Sequence, residues 1–206
     1  MLSSDESFDK QLPLGLQLKS SVFFTPIDVA CHAAALLTPE PGMRVLDVGA
    51  GAGKFCLTAA LEIRNATFVG VEWRGHLVRL ATRLAMELRL SNARFIHADA
   101  LDLDWSEYDA FYLYNPFAEH LFEAPLVLDH TIALDPRNFI LYVSAVRSRL
   151  ALARVGTRVV TYHGYGARAP LGYELARKDA AGSDCIELWI KTRAITFSEA
   201  AEDAAV

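Results

Sequence analysis

Cysteine is scarce in this chain, basic residues are outnumbered, and apolar runs are short; each shortage removes a class of protein. The three cysteines, Cys31, Cys56 and Cys185, are an odd number at no metal-ligand spacing, which excludes a disulfide scaffold and a zinc ribbon. Each falls in an apolar periodic stretch, so all three are expected as buried free thiols, without the electropositive setting of a nucleophile. His32, His76, His97 and His130 form no ligand spacing either, and no metal is expected. With 20 Lys and Arg against 25 Asp and Glu, the formal net charge is -5. That balance gives no global attraction for duplex nucleic acid or an anionic membrane, so a protein or small-molecule partner is favoured over bulk nucleic acid. Met1 to Lys10 lacks a signal-peptide core and no later run approaches a membrane span, so the expected location is cytoplasmic with no membrane contact.

What is present is a large apolar fraction, 52% of 206 residues, enough for one core and cramped for two. Residues 1–19 lack sustained periodicity and contain Pro13 and Gly15, so they read as a flexible lead-in. The domain proper is 20–197, and 198–206 reads as a frayed tail. Thr25 is placed to cap a helix with Pro26 at its first position and Ile27, Val29, Ala30, Ala33, Ala34 and Leu37 on its apolar face. Phe23 and Phe24 fit a hydrophobic staple ahead of it. Pro41-Gly42 then turns the chain into an apolar strand that stops at Gly49, Gly51 and Gly53, with a helical pattern starting directly behind.

Beyond this strand–turn–helix, strands and helices alternate. Thr67 to Glu72 is a second strand, followed by an amphipathic helix with Leu77, Leu80, Leu84 and Leu88 on one face. Ala93 to His97 is a third strand, and Tyr108 to Tyr114 a fourth that stops at Asn115-Pro116-Phe117. Pro125 and Pro136 break the next stretch into a short helix, an irregular segment near Thr131 to Asp135, and a helix capped by Asp135. Thr157 to Tyr162 is a fifth strand, and Tyr173 to Lys178 with Cys185 to Lys191 reads as a closing antiparallel hairpin. The fold class is therefore α/β: a Rossmann-like, seven-stranded, mostly parallel sheet with an antiparallel C-terminal hairpin and helices on both faces.

A glycine turn of this kind, with an acid about 20 residues on to hold ribose hydroxyls, serves two cofactor classes, and Glu72 suits either. The dinucleotide spacing G-x-G-x-x-G fails: Lys54 stands where a start at Gly49 needs a small residue, and Cys56 where a start at Gly51 needs the last glycine. Asp47 ahead of the first glycine would face phosphate charge, whereas it suits a ligand carrying an ammonium and a sulfonium.

These residues, in this order, resemble the class I S-adenosylmethionine-dependent methyltransferases, and the resemblance extends from about Phe23 to Lys191. It implies that Asp47, Gly49, Ala50, Gly51 and Gly53 cradle the methionine part and ribose of S-adenosyl-L-methionine. It implies that Glu72 takes the ribose hydroxyls, that Trp73 packs on the adenine, and that Asp99, with Ala100 beside it, accepts from the adenine amino group. Phe24-Thr25-Pro26 is similar to a motif of amino-group methyltransferases that supports the cofactor's methionine end. Asn115-Pro116-Phe117 is similar to the substrate-gripping segment of enzymes methylating planar amino nitrogens, with one proline where they carry two. It is also similar to an Asn-containing segment of the non-SET lysine methyltransferases, which share Gly70-Val71-Glu72.

The expected activity is methyl transfer to a nitrogen of a protein lysine or amide, a nucleobase or a small amine. Positioning carries most of the rate of an in-line displacement from a sulfonium, leaving the chain to present a lone pair and remove a proton. Asn115 is expected on the substrate side, His163 as a base and Tyr165 as a pocket wall; Glu119 and His120 read as a solvated helical turn. The irregular segment from Ala118 to Asp135 is expected to select the substrate. Two other readings stand beside this one: an inactive cofactor-binding interaction module, and an NAD-dependent oxidoreductase.

Overall fold

The computed structural model describes residues 4–123 and 126–204; Pro125, one of the expected breaks, lies outside them, as do the last two residues of the tail. Seven strands form one sheet in the order β3-β2-β1-β4-β5-β7-β6. They are β1 (Arg44–Val48), β2 (Thr67–Glu72), β3 (Ala93–His97), β4 (Ala110–Leu113), β5 (Arg158–Tyr162), β6 (Tyr173–Ala181) and β7 (Asp184–Lys191). The first five run parallel, and β7 enters antiparallel between β5 and β6. The chain winds outward from β1 to β3, then returns to place β4 on the other side of β1. Between β1 and β4 the crossovers leave on opposite sides, which opens a crevice above their carboxyl ends.

Period-two alternation assigns each strand residue to a face. Val45 of β1 packs with α4 (Ile27–Leu37), α5 (Lys54–Glu62) and α6 (Gly75–Glu87), while Leu46 and Val48 face Trp105, Tyr108 and α7 (Pro136–Leu152). Helices thus cover both faces. Helix α7 starts as the sequence suggests: Pro136 occupies its first turn and Asp135 accepts from the Arg137 amide at 2.8 Å. The closing hairpin turns through Gly182 and Ser183 alone, since Ala181 pairs with Asp184.

Four expectations are corrected. Residues 4–19 are no loose lead-in: α1 (Asp5–Asp9), α2 (Leu14–Gln17) and, next to them, α3 (Ser20–Phe23) pack onto the domain, burying Phe8, Leu12 and Leu16 in its core. These three recur every four residues, a helical spacing that the polar residues between them obscure. Lys54, buried at the start of α5, pairs with Asp5 at 2.7 Å and Asp9 at 3.4 Å, fixing α1 beside the glycine turn. Second, Thr25 does not cap α4. The first helical residue is Ile27, whose amide donates to Asp5 Oδ1 at 3.0 Å, and Thr25 instead shares a buried hydrogen bond with the Tyr112 hydroxyl. Third, the tail is helical over α8 (Phe197–Ala204); Thr196 and Glu199 cap its start reciprocally, a T-x-x-E box readable in the sequence. Fourth, only Cys56 is buried, Cys31 and Cys185 being partly exposed, though all three are free.

Ser20–Leu37 is 18 residues long and apolar enough, by composition, to cross a membrane. Phe24 to Pro26 divide it, however, and the 11 residues of α4 extend only about 16 Å against a hydrocarbon core of about 30 Å. Its apolar face, Val29, Ala30, Ala33, Ala34 and Leu37, is spent inside the domain.

Candidate active site

A cleft of about 700 Å³ lies above the carboxyl ends of the parallel strands. Its floor is the turn between β1 and α5. Gly49, Gly51 and Gly53 have φ of +78°, +55° and +80°, a left-handed region that a side chain disfavours. At Gly51 the space is also closed, since a Cβ there would stand 2.9 Å from the Phe24 ring. Gly49 and Gly51 line the cleft, so main-chain atoms meet a ligand directly. Gly53 serves packing instead, because a Cβ would meet Phe95 and Ala81, and its smallness lets α5 and α6 close on the sheet.

Glu72, at the end of β2, is buried beside this turn. Its Oε2 accepts from the Gly51 amide at 3.0 Å and its Oε1 from the Arg74 amide at 2.8 Å. Each oxygen keeps a second lone pair, so the carboxylate can still accept from two hydroxyls. Burial pushes the Glu72 carboxyl above its ordinary range, opposed by those amides and the Arg74 charge. The Arg74 guanidinium, itself buried, reaches Glu119 at 2.7 Å and Asp129 at 3.1 Å. Glu119 in turn accepts from the Leu128 amide at 2.6 Å. The segment after β4 is thereby tied to the acid of the glycine turn, and Glu119 is no mere solvated residue.

Asp47 lies elsewhere than expected. It shares the side of β1 that faces α5, below the turn, where it is 4% exposed and accepts from Cys56 Sγ at 3.5 Å. Burial first, against the Cys56 hydrogen bond and aided by the Glu72 charge, raises its carboxyl to about 7. It supports the turn from beneath and does not line the cleft. Ala50, Gly53 and Thr25 also fall outside the lining, whereas Phe24, Trp73, Asp99 and Ala100 are part of it. Trp73 is 51% exposed, leaving a ring free to cover an apolar ligand.

Asp99 accepts from the Leu101 amide at 2.9 Å and from the Tyr142 hydroxyl at 2.6 Å. Tyr142 was not evident as a site residue; α7 carries its ring between Phe117, stacked at 4.9 Å, and His120, at 5.9 Å. Burial first, then the bond to Asp99, pushes the Tyr142 phenol up to about 12. No sequence signal marks it, because an aromatic on a helix face is ordinarily core.

The ends of β4 and β5 form the opposite wall. Asn115 has φ +40° and His163 φ +55°, two of the three non-glycine residues in the left-handed region among those described. The conformation costs free energy and persists where surrounding contacts impose it. The Asn115 amide donates to the Gly164 carbonyl at 2.9 Å, locking the two strand ends together. The Asn115 side chain faces the cleft with no hydrogen-bond partner among the described residues. His163 also lines the cleft, its Nδ1 3.1 Å from Asp184 and its Nε2 3.0 Å from Ser183 Oγ. Tyr165 does not: it is buried in the core on the α7 side and donates to the Arg168 carbonyl at 2.7 Å. The turn at His163 and Gly164 directs it inward, so it walls no pocket.

The lining suits an adenosine with a charged thioether tail. A carboxylate can take two hydroxyls, an indole can cover a base, and bare main chain at Gly49 and Gly51 admits close approach. Residues 39–159 match the family model described as "Methyltransferase domain". Among solved structures, TrmN from Thermus thermophilus is 27% identical with a TM-score of 0.59, covering 81% of this chain and 49% of that one. An RNA methyltransferase from Salinibacter ruber in complex with S-adenosyl-L-homocysteine shares the fold at TM-score 0.57 and 21% identity, over 84% of this chain and 95% of that one. In sequence, the chain is 38% identical over 140 residues to a 23S rRNA (uracil(1939)-C(5))-methyltransferase RlmD of Alkalilimnicola ehrlichii, covering 65% of this chain. A protein of the same name from Xanthomonas oryzae is 31% identical over 160 residues, 69% of this chain. The matches span only 29% and 35% of those relatives' lengths.

Relatives named for rRNA overturn the preference for a protein or small-molecule acceptor over nucleic acid. Net charge is a sum over the whole surface, whereas an acceptor meets only the cleft and its rim. The dinucleotide spacing is missing, and the oxidoreductase reading falls with the family match. The chain belongs to the methyltransferase-domain family and is a class I methyltransferase domain whose cofactor is S-adenosyl-L-methionine.

Proposed function

We propose that this domain transfers a methyl group from S-adenosyl-L-methionine to a nitrogen of an RNA nucleobase. Bound in the cleft, the cofactor supplies a methyl group on a positively charged sulfur. Gly49 and Gly51 offer main chain to its tail, Glu72 holds its ribose hydroxyls, and Trp73 covers its base. Phe24, packed against Gly51, limits water at the reacting end.

One observation carries the choice of nitrogen: the unengaged side chain of Asn115, held at φ +40° on the wall facing the glycine turn. An amide oxygen there accepts from an N–H of a planar amino group and orients its lone pair for in-line attack. A ring carbon such as uracil C5 has no lone pair and needs a soft nucleophile to add to the ring first. None of the three cysteines supplies one: Cys56 lies under the glycine turn, and Cys31 and Cys185 are not in the cleft lining. RNA as the acceptor class is supported by the names of the relatives.

Incubating the protein and tritiated S-adenosyl-L-methionine with separated RNA and protein fractions of a bacterial lysate tests the reading. The expected result is label in RNA. Label in protein alone, or cofactor binding without transfer to any fraction, overturns it; the second outcome would establish an interaction module.

A further inference from the structure

We propose that Ser183, His163 and Asp184 form a proton relay that receives the proton shed by the acceptor nitrogen. This rests on the reading of the cleft as a nitrogen methyltransferase site. The hairpin turn between β6 and β7 reaches across the end of β5, because β7 pairs with β5 antiparallel. It thereby brings Ser183 into the cleft lining beside His163.

The relay assigns the protons so that these contacts run in one direction. His163 Nδ1 lies 3.1 Å from Asp184 Oδ2, and the relay assigns the ring proton to Nδ1, facing that carboxylate. With its proton on Nδ1, the ring presents a lone pair at Nε2, 3.0 Å from Ser183 Oγ. Ser183 Oγ is 3.1 Å from the Tyr162 hydroxyl, which also accepts from the Ser183 amide at 3.2 Å. Tyr162 thus holds the serine at two atoms; in the relay's assignment its hydroxyl donates to Ser183 Oγ and the serine hydroxyl donates to His163 Nε2.

Two backbone features show that the arrangement is imposed rather than incidental. His163 sits at φ +55°, outside the region a histidine prefers. Gly182 sits at φ +52°, and a Cβ there would stand 2.7 Å from the Tyr162 hydroxyl oxygen. Only glycine allows the turn to come this close.

In the transfer step the acceptor nitrogen bonds to the methyl carbon as the carbon–sulfur bond breaks, and that electron pair stays on sulfur, which becomes neutral. The nitrogen then carries a positive charge and an acidic N–H. Ser183 Oγ takes this proton while giving its own to His163 Nε2, and the imidazolium formed is stabilised by the Asp184 carboxylate. Water later removes the proton from histidine. The acceptor leaves neutral and methylated.

General-base catalysis of this kind contributes on the order of a hundredfold or more. With tritiated S-adenosyl-L-methionine and bacterial ribosomal and transfer RNA as probes, His163→Ala is expected to lower kcat about 100-fold. Its S-adenosylhomocysteine affinity is expected to stay within about twofold, and added imidazole to restore part of the rate. Ser183→Ala and Gly182→Ala are expected to lower kcat with KM nearly unchanged. A wild-type kcat in His163→Ala, or a loss that imidazole does not touch, overturns the relay. Nitrogen-15 NMR of the folded protein tests its proton arrangement without turnover. The relay requires His163 protonated on Nδ1 in the parent and a shift of that population in Asp184→Asn; a ring protonated on Nε2 in the parent overturns it. If no RNA accepts methyl, the functional reading fails and the relay with it; a ring protonated on Nε2 alongside transfer to RNA overturns the relay alone.

Discussion

The main-chain amide of Gly51 donates to Oε2 of Glu72 at 3.0 Å, so the glycine turn and the acid that ends β2 form one hydrogen-bonded unit. Neither is fixed by its own strand alone. Strand pairing brings β1 and β2 into register, with Val48 opposite Val71, and the bond then sets the height of the turn above the sheet. Glu72→Ala is expected to weaken S-adenosylhomocysteine binding at least tenfold, about 1.4 kcal/mol. It loses the ribose acceptor and frees the turn. Calorimetry giving an unchanged dissociation constant would remove Glu72 from the cofactor site.

Arg74 stands among Glu72, Glu119 and Asp129, with its side chain 7% exposed. Arg74→Met keeps the length but leaves Glu72 and Glu119 without their cation and Asp129 with His76 alone, 3.2 Å away. Breaking a buried charge cluster from one side costs about 3–5 kcal/mol, and chemical denaturation should show a loss of that size. In whatever folded fraction remains, KM for the acceptor should rise more than the cofactor dissociation constant, because Arg74 anchors the segment after β4. Equal changes in both would argue against that division.

Asp47 gives the domain a pH dependence of defined sign. An unfolded aspartate titrates near pH 4, and the folded carboxyl near 7. Between these values the native protein holds a proton that the unfolded chain has lost, so stability falls as pH rises from about 4 to about 7. The full difference is on the order of 4 kcal/mol. Glu72, also raised, adds in the same direction. Asp47→Asn should be more stable than the parent at pH 8, with the advantage shrinking toward pH 4. Thermal melts across that range with parallel curves for the two proteins would contradict it.

The N-terminal helices are structural. Phe8 is fully buried in the core that α4 and α5 share, and truncating a buried phenylalanine costs about 3–5 kcal/mol. Phe8→Ala should lower the denaturation midpoint accordingly. A change below about 1 kcal/mol would return residues 4–19 to the status of a lead-in.

The sheet and the glycine turn were legible because their signals are local: alternation, helical periodicity and glycines two apart all act within a few residues. The places of Glu72, at the end of β2, and Asn115, two residues past β4, on the cleft wall were legible because strand ends meet the crevice. What escaped depended on distance in sequence. Asp47 has the right type and spacing for a cofactor ligand, but its side of the strand follows from which helices cover that face. Tyr165 follows a histidine in a left-handed turn, and that reversal sends it into the core. Tyr142 and Ser183 reach the cleft only through the packing of α7 and the pairing of β7 with β5. Two misses were readable after all: the four-residue spacing of Phe8, Leu12 and Leu16, and the capping box from Thr196 to Glu199. The charge balance misled because it was treated as a property of the cleft.

The substrate-side role of Asn115 predicts a divided effect. Asn115→Ala should lower kcat by about 100-fold, since positioning of the nucleophile is lost, while S-adenosylhomocysteine affinity stays within about threefold. Equal losses in both would place Asn115 with the cofactor.

The atom that receives the methyl group decides between nitrogen and carbon transfer. RNA incubated with the protein and S-adenosyl-L-methionine carrying a trideuterated methyl group is digested to nucleosides and analysed by mass spectrometry. Transfer oriented by Asn115 puts the trideuteromethyl group on a base nitrogen. A trideuteromethyl group on C5 of uridine would contradict it.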